Sequence, residues 1–310
     1  MPKSSEAGAA AAGHSAKGLF CAASAFLIWG LSPVYWKTLS GVPAFEILLH
    51  RIVWSFFFLA PIAARGENRG DFLSALQNPR ILRIMVCTAV LVSINWLIFI
   101  WGVTNGLVLQ TSLGYFISPM INVAMGTVLL RERLRRAQVV AVILAGGGVL
   151  FLTVSVGEFP WIAFSLAFSF GSYGLIRKIA PVSALAGLSI ETLLLFPLAA
   201  GWLVYLHATN RGAFLHMGYD IDLFLLASAL FTAFPLLLFT VGARLLNLST
   251  LGFMQYMVPS CYFLFAVFVY KEPVSASQIT TFFFIWTALA IYSADSALFY
   301  RKNFRLFRSR

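Results

Sequence analysis

Residues 84–103 have the sequence IMVCTAVLVSINWLIFIWGV, a run of 20 positions without a charged side chain. A helix needs about 20 mainly apolar residues to cross the ~30 Å hydrocarbon core of a bilayer. Apolar and polar positions do not alternate along this run, so the pattern favours a helix over a strand. The segment therefore predicts a membrane-spanning helix.

Nine further runs of similar length and character surround it, in a chain that is 60% hydrophobic and 11% charged. The ten predicted spans are residues 18–36, 44–64, 84–103, 107–130, 137–156, 161–176, 182–206, 223–243, 248–270 and 278–300. The third and fourth are separated only by residues 104–106, where Asn and Gly favour a tight turn. Ten spans leave short loops and no soluble domain of ordinary size. We therefore expect an all-α integral membrane protein.

The basic side chains are distributed unevenly between the two ends of these spans. Eighteen of the 22 Lys and Arg fall on the side of the N-terminus, three fall on the other side, and Arg51 lies within a span. Basic residues accumulate on the cytoplasmic side of membrane proteins. Both termini are therefore predicted to be cytoplasmic, with residues 1–16 as a disordered tail and 301–310 as a basic tail.

The net charge of +11 follows from the same distribution. Because the basic segments are interrupted by spans, they fit contacts with anionic lipid headgroups better than nucleic-acid binding. The three cysteines, Cys21, Cys87 and Cys261, lie within predicted spans and form no metal-ligand pattern with histidines. We expect membrane lipids as partners, with no nucleic acid, no metal and no cofactor.

The two halves of the chain resemble each other at a shift of about 140 positions. The matching features are Gly102 with Gly242, Pro119 with Pro259, and Arg131-Glu132 with Lys271-Glu272. Each half, residues 17–156 and 157–300, contains five predicted spans, so the second half enters the membrane from the opposite side. Such inverted-topology repeats are typical of transporters that open in turn to either face around a central cavity.

Several short segments add a family resemblance that covers nearly the whole chain after residue 17. They are residues 26–30 (FLIWG), 46–51 (EILLHR), 54–58 (WSFFF), 95–101 (NWLIFIW), 112–116 (SLGYF), 190–192 (IET), 249–253 (STLGF) and 284–290 (FIWTALA). With these segments the chain resembles the EamA family of the drug/metabolite transporter superfamily, and within it the RarD subgroup.

The resemblance implies ten helices in a five-plus-five inverted repeat around a central cavity. It also implies export of small molecules across a bacterial inner membrane. The subgroup is associated by name with chloramphenicol sensitivity, which does not establish a physiological substrate. The cargo, the coupling ion and the oligomeric state are left open.

Ionisable side chains inside spans are costly, so they mark candidate functional positions. Glu46, His50 and Trp54 recur at every fourth position and share one face of the second helix. His50 corresponds closely to Glu191 in the other half. His50 and Glu191 are candidates for binding cargo or carrying protons, and Trp54 is a further candidate for binding cargo. Alternatively, Glu46 and His50 bond each other or a neighbouring backbone, and Glu191 satisfies a helix end. Arg51 is either an anion clamp for the cargo or a structural partner of a carbonyl or carboxylate.

A polar stripe follows one face of the fourth span, at Thr111, Tyr115, Ser118 and Asn122. Its counterpart in the ninth span carries Gln255 and Tyr262, with Tyr256 adjacent to Gln255, and Asn95 lies at the middle of the third span. We expect Tyr115, Asn122, Gln255, Tyr256 and Asn95 to line the cavity, although such groups also serve as hydrogen-bonded contacts between helices.

The sequence thus predicts a secondary transporter, an exporter of a small amphipathic or zwitterionic metabolite or drug that works by alternating access. The alternative is a membrane enzyme acting on a lipid or lipid-linked substrate, for which Glu46, His50 and Arg51 are the nearest candidate group. Direct ATP hydrolysis is not expected, since the chain has no phosphate-binding loop of the Walker type.

Overall fold

The computed structural model describes residues 3–66, 68–104, 108–155, 157, 159–269 and 275–308. These residues form twelve α-helices and one π-helical turn, with no strand among them. The helices are α1 (Lys3–Thr38), α2 (Ala44–Ala63), α3 (Asn68–Gln77), α4 (Pro79–Thr104), α5 (Val108–Val128), α6 (Arg136–Ser155), α7 (Trp161–Ile179), α8 (Ala184–Ala208), α9 (Tyr219–Leu245), α10 (Leu248–Gln255), α11 (Met257–Leu264) and α12 (Ala276–Arg308), with the π-helical turn at Phe265–Val269.

The all-helical membrane class is confirmed: among the described residues, eight helical stretches are long and apolar enough to cross a bilayer. They belong to α1, α2, α4, α6, α8, α9, the α10–α11 region and α12. The helix α5 contributes a shorter apolar stretch, Leu113–Val128, and α7 overlaps the sixth predicted span. Large apolar side chains such as Leu198, Val128 and Phe283 are exposed along the helices, as a lipid-facing surface requires.

The N-terminal segment and the connection between the second and third predicted spans differ from the sequence-based expectation. The helix α1 begins at Lys3, because the Ala-rich segment assigned to a disordered tail has high helix propensity. The short helix α3 lies between the second and third predicted spans. The side chain of Asn78 then accepts hydrogen bonds from the backbone N–H groups of Arg80 (3.0 Å) and Ile81 (3.3 Å), which defines the start of α4.

The ninth predicted span is divided, whereas the fourth is one continuous helix. Pro259 has no N–H to bond the carbonyl of Gln255, and the chain breaks at Tyr256 between α10 and α11. Pro119 is accommodated inside α5. The turn predicted at residues 104–106 and the Lys271-Glu272 pair lie outside the described residues, apart from Thr104 at the end of α4.

The helix α1 packs against α9, α2 packs against α8 and α9, and α6 packs against α12. The helix α4 packs against α7 and α8, and α10 packs against α5, so both contact helices from the other half of the chain. We call the end of the bundle with the α1–α2 connection the α1–α2 face, and the opposite end, with the α5–α6 connection, the α5–α6 face. Gly252 allows α10 to lie close to α5: a Cβ at this position would be 2.6 Å from the carbonyl oxygen of Pro119. This close approach fixes the helices that carry the candidate site.

Candidate functional site

A cavity of about 970 Å³, counting the space that opens to solvent, lies among α1, α2, α4, α5, α7, α9, α10 and α11. Its lining is mostly aromatic, with a few polar groups: Trp29, Ser32, Trp36, Arg51, Asn95, Trp96, Phe99, Thr111, Gly114, Tyr115, Ser118, Leu166, Phe170, Phe231, Thr232, Leu236, Gln255, Val258 and Tyr262. These residues come from the middle of the helices and from the halves nearer the α1–α2 face. The cavity therefore extends from the centre of the bundle towards that face.

Arg51 is the cationic group of this lining. Its guanidinium carbon lies 4.9 Å from the centroid of the Trp36 ring and 4.8 Å from that of the Trp96 ring. Its Nε donates a hydrogen bond of 2.7 Å to Thr232 Oγ1 on α9. These contacts restrict the position of the guanidinium without neutralising its charge.

Three side chains close the inner end of the cavity, and we call Ser118, Asn122 and Gln255 the polar floor. Asn122 on α5 donates a hydrogen bond of 2.7 Å to Gln255 Oε1, and Gln255 Nε2 donates one of 2.9 Å to Ser118 Oγ. All three side chains are buried. The polar floor joins α5 to α10 across the middle of the bundle, and Asn122 supports it from beneath rather than lining the cavity.

The aromatic walls lie nearer the α1–α2 face. The rings of Tyr115 and Tyr262 are 5.4 Å apart, and the Tyr262 hydroxyl donates a hydrogen bond of 3.3 Å to the backbone carbonyl of Trp29. Trp29 packs edge-on against Phe170 at 5.7 Å. The walls therefore present flat apolar surfaces with few unengaged polar atoms.

Asn95 lines the cavity but directs its amide group to the backbone. Its Nδ2 donates to Leu166 O at 2.8 Å and to Ser169 Oγ at 2.9 Å, both on α7. This amide therefore connects α4 with α7, and its oxygen remains for contact with a bound molecule.

Glu191 belongs to a separate buried cluster. Its carboxylate accepts hydrogen bonds from Thr88 Oγ1 (2.6 Å) and Tyr173 Oη (3.2 Å), and it lies 3.7 Å from Arg177 Nε. A second, smaller pocket has Arg51 and Glu191 in its lining. Glu191 thus lies one pocket away from the main cavity, held among α4, α7 and α8.

Glu46, His50 and Trp54 share one face of α2, as predicted, but that face contacts the segment between α8 and α9. Glu46 Oε1 accepts backbone N–H groups from Ala213 (2.6 Å) and Phe214 (3.3 Å). His50 Nδ1 accepts a hydrogen bond of 3.0 Å from Trp54 Nε1, and His50 Nε2 is 3.9 Å from Glu46. These contacts anchor the 209–218 segment, and none of the three side chains lines the cavity.

Glu132 connects two elements at the α5–α6 face, where it also lies in the lining of a separate pocket. Its carboxylate accepts the backbone N–H groups of Leu248 (2.6 Å) and Ser249 (2.9 Å) and the hydroxyl of Ser249 (2.6 Å). Leu248 and Ser249 are the first residues of α10, where unpaired N–H groups attract negative charge. Glu132 therefore caps α10 and ties it to the loop that follows α5.

Sequence reasoning identified part of this site. Of the predicted residues, Arg51, Asn95, Tyr115 and Gln255 line the cavity, whereas Tyr256 is fully buried beside Phe253, outside it. Tyr262, noted in the ninth-span counterpart of the polar stripe, also lines the cavity. The main residues not singled out are other aromatic and hydroxyl groups of the wall: Trp29, Trp36, Trp96 and Thr232. The available signal was the position of Trp29 and Trp96 inside spans, away from the interfaces where Trp is usually enriched.

Within the described residues, no group of three or more His, Cys, Asp or Glu could hold a metal ion. Glu46, His50 and Arg51 are each bonded to a different partner, so they do not converge on one reacting atom. The group considered for a membrane enzyme is therefore not assembled.

Comparison with known proteins gives consistent matches. Residues 16–154 match the profile of the EamA-like transporter family. The chain is 44% identical to the protein RarD of Escherichia coli (strain K12) over 93% of its own length and 97% of that protein. It is 41% identical to the uncharacterized transporter YojE of Bacillus subtilis over 89% of its length and 93% of that protein. The chloramphenicol-sensitive protein RarD of Pseudomonas aeruginosa is 30% identical over 94% of the chain and 98% of that protein.

A crystal structure of another protein superposes with a TM-score of 0.68 at 17% identity, covering 89% of this chain and 96% of the other. At that level of identity the likeness concerns the fold alone. It nevertheless extends over almost the whole of both chains.

Proposed function

The chain belongs to the EamA-like transporter family and groups with the proteins named RarD, and from this premise we propose that it moves a small amphipathic organic molecule across a bacterial plasma membrane by alternating access. Membrane transport itself follows from the family and the named relatives. The cargo, the direction and the mechanism are the parts that we propose. We take export as the direction because the family resemblance implies it.

The pairing of helices supports an inverted repeat of two five-helix halves. If α1, α2, α4, α5 and α6 correspond to α7, α8, α9, α10–α11 and α12, a twofold operation exchanges the halves. Three contacts then map onto themselves: α2 with α8, α5 with α10, and α6 with α12. Three others map onto partners that are also in contact: α1–α9 onto α4–α7, α1–α11 onto α5–α7, and α2–α9 onto α4–α8.

Side chains at the centre of the bundle follow the same relation. The shift of about 140 positions takes Tyr115 to Gln255 and Asn122 to Tyr262. Tyr115 contacts Tyr262, and Asn122 contacts Gln255. The two contacts are therefore the two images of one position pair, on opposite sides of the middle of the bundle.

We propose that the α5–α6 face is cytoplasmic, since Arg131, Arg133, Arg135 and Arg136 lie there. Both termini then lie in the cytoplasm, and the cavity is reached from outside the cell in this conformation. The observation that carries the proposal is the central cavity that extends towards the α1–α2 face. The polar floor lies between this cavity and a separate pocket at the α5–α6 face, which has Glu132 in its lining. Rocking of one half against the other would exchange the open face.

Asn95, Tyr115 and Gln255 line the cavity, and we propose that they contact the cargo. His50, Trp54, Asn122, Glu191 and Tyr256 lie behind the lining. Proton coupling through His50 or Glu191 is a hypothesis that measurements of transport at different pH values would test.

Counterflow in proteoliposomes tests transport directly. A thermal-shift screen of metabolites and drugs first identifies a ligand, since a molecule that binds the folded state raises its apparent stability. Vesicles loaded with unlabelled ligand are then expected to accumulate labelled ligand. Accumulation no greater than in protein-free vesicles would contradict the proposal.

Accessibility of the cavity tests the mechanism without a known cargo. Ser118→Cys is introduced after Cys21, Cys87 and Cys261 are replaced by alanine. Membrane-impermeant maleimides are expected to label this position from both sides of the membrane. Val128→Cys, on the exposed lipid-facing surface of α5, is the control for background labelling. Labelling from one side only, in protein whose thermal unfolding matches that of the parent, would contradict alternating access.

A further inference from the structure

Arg51 presents an unneutralised positive charge to the cavity. In the described part of the chain the close ion pairs are His50–Glu46, Arg135–Asp295 and Arg177–Glu191, so Arg51 has no carboxylate partner within ion-pairing distance there. Glu191, across the smaller pocket, is engaged by Thr88, Tyr173 and Arg177. A cation inside a low-dielectric bundle without a counter-charge is costly, and a bound anion would remove that cost.

The geometry of Arg51 suits an oxyanion. Of its five N–H donors, the described contacts use only Nε, which bonds Thr232. The contacts with Trp36, Trp96 and Thr232 restrict the position of the guanidinium and limit its loss of side-chain freedom on binding. The terminal nitrogens therefore form a pre-oriented pair of donors, which matches the two oxygens of a carboxylate.

Two other polar side chains of the centre already have hydrogen-bond partners within the protein. Gln255 uses its oxygen for Asn122 and its nitrogen for Ser118, and the Tyr262 hydroxyl donates to the backbone carbonyl of Trp29. The described lining contains no Asp or Glu that could receive an ammonium group. The described lining thus offers a formal positive charge to an anion and no formal negative charge to a cation.

From this arrangement we infer that the cargo is an organic anion, with a carboxylate or comparable oxyanion bound by Arg51 and a flat apolar body against the aromatic walls. The inference rests on the proposed transport function and narrows it, because it disfavours zwitterionic and cationic molecules. Trp29, Phe170 and Tyr262 provide the surfaces that the body would contact.

A matched set of four ligands tests the charge preference on the purified full-length protein. The set is 3-phenylpropionate (anion), 3-phenylpropionamide (neutral), 3-phenylpropylamine (cation) and phenylalanine (zwitterion). Isothermal titration calorimetry is expected to show the anion binding at least roughly tenfold more tightly than the other three, as a charge-assisted bidentate contact would give.

Two variants of Arg51 locate the effect. Arg51→Gln is expected to remove the preference for the anion over the amide, and Arg51→Lys to retain part of it, because a lysine keeps the charge but not the planar pair of donors. Arg133→Gln removes one exposed positive charge at the α5–α6 face and is expected to leave the preference unchanged. Thermal unfolding of each variant without ligand shows whether it is folded.

The inference is overturned if the anion binds no better than the amide, whether all four ligands bind alike or none binds. It is also overturned if folded Arg51→Gln keeps the preference. Counterflow distinguishes this failure from failure of the proposed function: a neutral cargo that is transported would leave the function intact. An anion that binds with the expected preference but is not transported would support the inferred charge preference and contradict the proposed transport function.

Discussion

The side-chain amide of Asn122 on α5 donates a hydrogen bond of 2.7 Å to Gln255 on α10. The two residues come from different halves of the chain, and both are buried. Gln255 passes the contact on to Ser118, so one chain of hydrogen bonds separates the cavity from the α5–α6 face. Opening the cavity to that face requires these hydrogen bonds to break. Their strength should therefore affect both the stability of this conformation and transport.

Replacement of Asn122 by alanine is expected to weaken this junction. The variant leaves Gln255 Oε1 buried without its donor, which costs about 1–3 kcal/mol. Unfolding by SDS titration in mixed micelles measures the loss. Val128→Ala, on the exposed surface of the same helix, is the control and should change the free energy of unfolding by less. Equal effects of the two substitutions would show that the polar floor contributes nothing specific.

Gly252 tests the close approach of α5 and α10. A Cβ there would lie 2.6 Å from Pro119 O and 3.0 Å from Asn122 Cβ, so Gly252→Ala must push the helices apart. We expect a loss of about 1–3 kcal/mol in the free energy of unfolding. Gly201→Ala is the matched control, because nothing lies within 4 Å of its added Cβ, and it should raise stability by up to about 1 kcal/mol. Tolerance of alanine at both positions would contradict the packing described for α10.

Much of the fold was predictable because apolar length determines where helices cross a bilayer. The helices α2, α6, α8 and α9 begin or end within a few residues of the predicted spans. The helix α3 was not predicted, since a short polar helix has no such signal. The break at Tyr256 was not located either: Pro259 and Pro119 remove the same kind of hydrogen bond, yet only one of the two helices is divided.

The candidate site was only partly predictable because its contacts join residues far apart in sequence. Helical periodicity correctly placed Glu46 and His50 on one face of α2, but it could not show that this face meets Ala213 instead of the cavity. The environment of Arg51 depends on Trp36, Trp96 and Thr232 from three other helices. No local pattern in the sequence contains that information.

The cap formed by Glu132 should control the exchange of the first amides of α10. Glu132→Ala removes the acceptor of the Leu248 and Ser249 N–H groups, and loss of an N-terminal cap costs about 0.5–2 kcal/mol. Hydrogen exchange at these two amides, followed by mass spectrometry, is expected to become faster. Arg133→Gln changes a neighbouring exposed charge and should leave the rates unaltered. Unchanged exchange in Glu132→Ala would show that the carboxylate does not hold α10.

The Glu191–Arg177 pair should show the non-additivity of a buried ion pair. Both side chains are almost fully buried, so Glu191→Ala leaves Arg177 without its counter-charge and is expected to cost about 3–5 kcal/mol. The double variant Arg177→Met with Glu191→Leu removes both charges and fills the space. We expect it to be more stable than Glu191→Ala alone in SDS titration. A double variant less stable than the single one would mean that the pair stabilises the bundle beyond mutual neutralisation.

The central claim is that the α5–α6 face, closed here, must open for transport. A Cβ placed on Gly126 lies 3.0 Å from Ser249 Oγ, within reach of a disulfide, and the atom nearest to it is the flexible end of Glu132. The direct measurement is counterflow by the Gly126→Cys/Ser249→Cys variant, without its native cysteines, before and after oxidation. The account predicts that oxidation stops counterflow and that a reductant restores it. Oxidised, fully cross-linked protein that transports as fast as the reduced form would contradict it.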